Sequence, residues 1–510
     1  MTLYATTRLD QLSEQRGTRV KAGDQDVLLV RMGDQVRAYQ ADCPHAGAPL
    51  EDGAICEQRL VCPWHKGAFA IADGEVTEPP ALMRLERYPA HVEAGTVWVD
   101  DQPEPAPTPA PQAQDRCFAV VGAGAAGSAA IAHLKAQGYS GTLVWIDPQL
   151  DPSYDRTALS KFVIAGQMPP EATPALLDQA TLHIPGLTLL QDAVTHVDGE
   201  AKTLTLATGR QLQYDAALLA TGGLAQRPDL PGAALAGSFV LRSREDAAQL
   251  LDAARGRERA VIIGDSFIGL EAASALRQLG LQVHVISRHD VPMAHVLGEP
   301  IGRALRDLHE QQGVVFHSPA ELKALEGETH VQTVLLGNGE RIATDIVLFG
   351  TGVHPATAYA KGLPTADDHS LRGDAGLRVV DGLWAAGDIV TFPLAGAPAR
   401  IEHWRLAQQH AVVAAANMLG EHREYADVPF FWTYHYGKNI EMLGHAREWN
   451  RLQVIGDLTA FKFIALQCQD DRVRAVVACG YQRVMAALSQ RMKRAVSVEE
   501  VMGVIAGFSD

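Results

Sequence analysis

One pattern occurs twice, about 140 residues apart, and it limits what this chain can fold into more than any other feature. An apolar run at 118–121 enters Gly122-Ala-Gly124-Ala125-Ala126-Gly127, and a helix-like run and a second apolar run, 142–146, follow and end at Asp147. Strand, glycine turn, helix, strand and acid form the βαβ unit that holds a dinucleotide. Gly122 permits the tight turn, Gly124 lets backbone N–H groups approach a pyrophosphate, and Gly127 lets the helix lie close to the strand. Asp147, twenty residues past Gly127, is placed to hold a ribose hydroxyl. The run 260–263 then enters Gly264-Asp-Ser266-Phe267-Ile268-Gly269, with a helix pattern at 270–279, Glu271 included, and a strand at 282–286. Ser266 replaces the middle glycine and is small enough for a phosphate to pass. This second strand ends in Ser287-Arg288-His289, with no acid at the expected ribose position. A missing acid beside cations suits a 2′-phosphate and favours NADPH over NADH, the alternative being an NAD site that lacks the acid. Two such units predict FAD in the first and a nicotinamide coenzyme in the second.

The N-terminal hundred residues carry a different signal. Cys43-Pro-His45 is followed, across sixteen residues, by Cys62-Pro-Trp-His65. Two thiolates and two imidazoles suit a [2Fe–2S] cluster in which cysteines hold one iron and histidines the other. The same four ligands also suit tetrahedral zinc, although zinc spacings usually pair Cys with Cys and His with His. Cys56 reads as a small buried residue. The other cysteines, Cys117, Cys468 and Cys479, show no disulfide-like spacing, which fits a reducing cytoplasm.

Composition bounds the rest. A chain of 510 residues is too long for one core,. Its formal charge of −16 argues against nucleic acid and anionic membranes as partners. No apolar run approaches the ~20 residues that span a bilayer, and the first residues, MTLYATTRLDQ, lack a signal-peptide pattern. A cytoplasmic protein, monomer or homodimer, is expected. Proline recurs at 103, 105, 107, 109 and 111 within residues 102–114, which reads as a semi-rigid spacer of up to about 40 Å at ~3.1 Å per residue.

The stretches CPHAGAPL and CPWHKGAF resemble the two ligand loops of the Rieske ferredoxin and dioxygenase family. From Arg116 onward the chain resembles the FAD-dependent pyridine-nucleotide oxidoreductases of the ferredoxin-reductase and apoptosis-inducing-factor branch. Leu219-Ala220-Thr221-Gly222-Gly223, followed by Arg227-Pro228, matches the strand and turn that close over FAD. Leu383-Trp-Ala-Ala-Gly387-Asp388 matches the second flavin motif, whose Asp binds the ribitol. In Tyr154-Asp-Arg156-Thr-Ala-Leu-Ser-Lys161 the resemblance places Arg156 and Lys161 near the flavin. Arg400-Ile-Glu-His403-Trp404 matches the stretch beside the isoalloxazine, and Val194 a backbone contact to adenine. Gly352 and Glu271 complete the nucleotide-binding positions. The run Val428-Pro-Phe-Phe-Trp432-Thr-Tyr434-His-Tyr436 reads either as a core or dimer-forming strand, or, by resemblance, as part of a small C-terminal domain with Trp432 near the flavin. The segment SYDRTALSK lacks the redox cysteine of disulfide reductases, so thiol relay chemistry is not expected.

The resemblance implies a multidomain protein. An N-terminal all-β Rieske domain (1–101) and the linker (102–114) lead into an α/β FAD-binding domain (115–241 and 366–423). A second Rossmann-like domain for NAD(P) (242–365) and a small α+β C-terminal domain (424–510) complete it. The expected activity is electron transfer from NAD(P)H through FAD to the cluster, with the linker keeping the cluster close, and on to a ferredoxin, cytochrome or oxygenase component. A redox sensor of apoptosis-inducing-factor type is the other reading.

Overall fold

The computed structural model describes residues 2–107, 109–110, 115–149, 153–182 and 186–508. The first part is built of short antiparallel strands. Thr18–Ala22, Gln25–Met32, Gln35–Gln40 and Arg87–Tyr88 form one sheet, and Leu3–Arg8, Thr96–Asp100 and Ala90–Glu93 another. A third sheet, Ala54–Cys56, Arg59–Val61, Ala68–Ala70 and Val76–Glu78, carries the second Cys-His loop between its middle strands.

The two repeated patterns fold as the sequence predicts. In the first, Cys117–Val121 sits between the parallel strands Thr142–Asp147 and Ala216–Leu219, with Leu187–Gln191 and Leu383–Ala385 outside them. In the second, Arg259–Ile263 sits between Gln282–Ile286 and Ile346–Phe349 in a five-stranded parallel sheet. Near-continuous apolar runs such as Ala216–Leu219, buried throughout, suit sheets covered on both faces. The second sheet begins at Ser238–Phe239, which pairs with Val347 and Leu348, a little ahead of the division expected at 242. The helix Ala125–Ala136 packs on Trp404–Met418 through Ala126, Ala129 and Ala130 against Ala407, Ala411 and Ala414. Alanine keeps these helices close, which brings the first glycine turn beside the second flavin motif. The last part is one antiparallel sheet, Phe430–His435, Lys438–Gly444, Arg472–Cys479, Lys462–Gln469 and Arg451–Asp457, with helices Gln482–Arg491 and Val498–Phe508. The Phe430–His435 strand is therefore core, and it also reaches the site.

The N-terminal domain is docked rather than loosely tethered. Arg405 is fully buried and donates to Pro79 O (2.8 Å), Lys66 O (2.9 Å) and the Glu78 carboxylate (2.6 Å). Glu78 also takes Lys493 (2.6 Å) and Gln490 (2.9 Å). Lys66 Nζ meets Glu441 at 2.9 Å with neither side chain open to water. Ala54, Val61 and Ala68 pack on Ala486 and Ala487. Burial alone would raise the Glu78 carboxyl, but Arg405 and Lys493 hold it below its ordinary value. A buried ion pair adds little net stability, whereas removing one partner leaves a costly unpaired charge. Such contacts therefore fix one geometry. Of the linker, Glu104 bonds back to Arg87 and Ala110 O lies against Gly138; residues 108 and 111–114 lie outside the described residues. The expected extended spacer is, in its described part, laid along the domains it joins.

Candidate redox site

The two loops expected to hold the cluster meet, Cys43 near Cys62 and His45 near His65. Cys43 sits in a turn closed by Cys43 N→Ala48 O and Gly47 N→Cys43 O, and Cys62 in one closed by Cys62 N→Gly67 O. Both cysteines are buried, and a hydrogen bond between their thiols, together with burial, pushes the Cys43 thiol pKa well above its ordinary value. The Nδ1 atoms of His45 and His65 converge to 3.1 Å, with the rings nearly perpendicular. A thiol pair beside an imidazole pair is the donor set of a cluster that takes two protein ligands per iron. His45 Nε2 is buried without a hydrogen bond, and the nearest carboxylate oxygen, Asp155 Oδ2, lies 3.8 Å away. Asp155 belongs to the segment that also carries Arg156 and Lys161, so a residue of the flavin domain faces a ligand of the cluster.

The first dinucleotide cradle is formed by residues that leave no room for substitution at two glycines and open space at the third. A Cβ on Gly122, at φ +106°, would stand 2.3 Å from Ala220 O, and one on Gly127 would stand 1.9 Å from Gly122 O. A Cβ on Gly124 would meet nothing within 4 Å, which is the space a pyrophosphate needs. Ala125 and Ala126 open the helix above it, and Asp147 Oδ2 accepts Ala123 N–H at 2.7 Å. Opposite, Thr221 bonds Ala356 O and Tyr359, and Gly222 takes φ +70° beside Arg242. Gly387 lies against Ala126 and Ala407, and Asp388 pairs with Arg242 at 2.9 Å. Arg156 reaches Arg242 O and Gln149. His403 Nδ1 and Trp404 Nε1 are buried and unpartnered, and burial pushes His403 down to about 3. Two orphaned polar atoms beside an open glycine cradle fit a flavin dinucleotide. Val194 opens a strand that packs against Val121 and Ile146. Arg227 points elsewhere, bonding Ser238 and Ala233 at the entry to the second sheet.

Lys161 lies on a short π-helical turn, Leu159–Val163, a distortion that often marks functional positions. Its ammonium meets Glu271 at 3.0 Å and lies 5.7 Å from the Trp432 ring centroid. Glu271, from the helix Phe267–Gln278, also accepts Ser160 and Thr433, and Thr433 continues to His435 and His309. Phe267 packs on Phe431, while Ile268 is exposed. The Trp432 ring packs against His65, centroid to centroid 4.2 Å and tilted by 43°. It thus stands between the Lys161 segment and the cluster ligands.

The second cradle repeats the first. A Cβ on Gly264 or Gly269 would strike Gly350 O or Gly264 O, Ser266 Oγ bonds Gly350 O at 2.9 Å, and Gly352 is open at φ +92°. Arg288 is exposed. The sequence leaves this cradle without an acid; the structure supplies one, because Asp265 Oδ2 lies 2.8 Å from Ser287 Oγ. Composition and spacing also miss Asp155, Lys66, Glu78, Arg405, Glu441, Thr433, His435 and His309. These are polar residues whose contacts arise where separate elements of the fold meet, and the motifs that contain some of them do not mark those contacts.

Three family models match the chain: Rieske [2Fe–2S] domain at 2–89, pyridine nucleotide-disulphide oxidoreductase at 117–411, and reductase C-terminal at 430–502. The chain is 31% identical to apoptosis-inducing factor 3 of Homo sapiens, over 98% of this chain and 85% of that protein. It is 33% identical to the biphenyl dioxygenase system ferredoxin–NAD(+) reductase component of Paraburkholderia xenovorans, over 75% of this chain and 94% of that one. Among solved structures, the covalent putidaredoxin reductase–putidaredoxin complex matches with a TM-score of 0.71 at 25% identity, covering 78% of this chain and 99% of that chain. A ferredoxin reductase from Rhodopseudomonas palustris matches with a TM-score of 0.70, also at 25% identity, covering 76% and 97%. No helix among the described residues is long and apolar enough to cross a membrane.

Proposed function

The chain belongs to the pyridine nucleotide-disulphide oxidoreductase family, and from that premise we propose that it takes electrons from NAD(P)H through FAD to its own Rieske cluster and on to a ferredoxin, cytochrome or oxygenase component. It is an FAD-dependent NAD(P)H oxidoreductase with a Rieske [2Fe–2S] domain. A bound flavin would supply two-electron hydride chemistry and a bound cluster one-electron chemistry, so the pair would convert one into the other.

The protein's own contribution is placement. Gly122, Gly124 and Gly127 with Asp147 would hold the FAD diphosphate and ribose, and Asp388, Arg156 and Lys161 the flavin half. Cys43 and Cys62 would hold one iron, His45 and His65 the other. Glu271 keeps the Lys161 ammonium in place and balances its charge in a buried setting, so no free cation is left unpaired. Arg405, Glu78, Lys66 and Glu441 hold the cluster loops against the reductase and exclude water between them. No general base is required.

The observation that carries this reading is the ring contact of His65 with Trp432, with Lys161 on the same indole. It lays an unbroken contact from the Lys161 segment to a cluster ligand within one chain. The test is anaerobic reduction by NADH or NADPH, followed by absorbance and by the electron paramagnetic resonance of the reduced cluster. Cluster reduction should follow flavin bleaching at a rate independent of protein concentration. A rate that rises with protein concentration, or a cluster that stays oxidised while the flavin bleaches, overturns intramolecular transfer.

A further inference from the structure

The two dinucleotide cradles can be compared position by position, because their registers coincide. In the first, Val121 pairs with Ile146 and Gly122 N bonds Ile146 O; in the second, Ile263 pairs with Ile286 and Gly264 N bonds Ile286 O. Ala123 therefore corresponds to Asp265, and Asp147 to Ser287. In the first cradle a small residue sits on the turn and the acid at the strand end, and they meet at 2.7 Å, Ala123 N to Asp147 Oδ2. In the second the acid sits on the turn and the small residue at the strand end, and they meet at 2.8 Å, Ser287 Oγ to Asp265 Oδ2. The carboxylate has changed chain position but still stands where the turn crosses the strand end.

We infer that Asp265 is the ribose-binding acid of the second cradle and that it selects NADH against NADPH. The inference rests on the reading above, that this cradle takes the nicotinamide coenzyme. A carboxylate accepts a hydrogen bond from a ribose hydroxyl and repels the dianion of a 2′-phosphate. Ser287 Oγ holds the acid in place: it accepts His289 N–H, and its one proton is shared between Asp265 and His289 O, both at 2.8 Å. Asp265 Oδ1 makes no hydrogen bond among the described residues.

The nearby cations do not reverse this balance. His289 Nδ1 is turned toward Asp265 at 3.5 Å, so its proton, when present, serves the acid. Arg288 is exposed, and its charge is screened by water and salt. The Asp265 side chain is only 13% exposed, so its field is screened less. The absent strand-end acid, which by itself favours NADPH, is therefore compensated from the turn.

The test uses the complete holoprotein and two probes that carry only the adenosine half, ADP-ribose and 2′-phospho-ADP-ribose, with affinities measured by calorimetry. Wild type should bind ADP-ribose about 10- to 100-fold more tightly, the worth of one charge-assisted hydrogen bond. Asp265→Asn, which keeps the shape, should collapse that ratio to a few-fold. The double variant Asp265→Ala with Ser287→Asp, which returns the acid to the strand end, should restore it. Tighter binding of the phosphorylated probe by wild type, or a ratio unchanged in Asp265→Asn, overturns the assignment. Failure of the underlying reading looks different: neither probe binds, and neither NADH nor NADPH bleaches the flavin.

Discussion

The imidazole of His65 lies 4.2 Å, centroid to centroid, from the indole of Trp432, tilted by 43°. One residue sits in a cluster loop of the N-terminal domain and the other on the strand Phe430–His435 of the C-terminal domain. Nearly four hundred residues separate them in the chain. Their contact joins the C-terminal domain to a loop expected to hold the cluster.

Removing that indole should slow electron entry into the cluster without removing the cluster. Trp432→Ala is expected to leave iron and acid-labile sulfide at wild-type content and flavin bleaching within a few-fold of normal. Cluster reduction should fall roughly ten- to a hundredfold, the scale on which lost positioning acts. Stopped-flow absorbance resolves the two phases. Equal slowing of both would mean that Trp432 acts on the flavin alone.

Glu78 should be a keystone of the docked arrangement. Glu78→Gln leaves Arg405 buried with no carboxylate, which costs about 3–5 kcal/mol for a broken buried pair. We expect a lower thermal midpoint and faster proteolytic release of the N-terminal domain. Replacing both partners, Glu78→Gln with Arg405→Met, should recover part of the loss, since the unpaired charge is gone. A double variant no more stable than the single one would contradict this.

Asp155 places a carboxylate 3.8 Å from His45 Nε2, and a carboxylate behind a metal-bound histidine raises the ligand's basicity and favours the oxidised metal. Asp155→Asn should therefore raise the cluster midpoint potential, by about 30–60 mV, or a half to one decade in the one-electron equilibrium. A redox titration followed by electron paramagnetic resonance measures it. A shift downward, or none, would show that Asp155 serves only its bond to Thr157 N.

Acid should destabilise the protein through buried histidines. Burial pushes His133 down to about 4, and His403, His410 and His435 to about 3. In the unfolded chain each takes a proton near 6.5. Between pH 6.5 and 4 the unfolded state thus binds more protons, and stability falls as pH is lowered. From pH 7 to 5.5 each histidine costs roughly 1 kcal/mol. Glu441, raised to about 7 by burial against the pull of Lys66, acts in the opposite sense by roughly 1–2 kcal/mol, so the four histidines prevail. The thermal midpoint should be several degrees lower at pH 5.5 than at 7.5; an equal or higher midpoint would refute this.

Much of the architecture was legible before folding because its signals are local. Gly122, Gly127, Gly264 and Gly269 are glycines because a carbonyl oxygen occupies the place of a side chain, and such a constraint repeats at fixed spacing in any chain that builds the turn. The Cys-His pairs are likewise bound to their loops, since each loop must deliver one thiol and one imidazole. The aromatic run at 430–436 was ambiguous between core and site, and it is both: its residues alternate between burial under the sheet and exposure to the neighbouring domains.

The two Rossmann units, the Rieske domain and the oxidoreductase class could be read from sequence, because each rests on residues within a few turns of one another. Tertiary structure alone decided how these parts meet. It docked the N-terminal domain on the reductase through Arg405, Glu78, Lys66 and Glu441, whose burial is set by surfaces far apart in the chain. It set Asp155 beside His45 and Trp432 beside His65. It also brought Asp265 to the end of a strand that has no acid of its own. In each case the chemistry depends on a distance between separate elements of the fold, and spacing along the chain does not encode that distance.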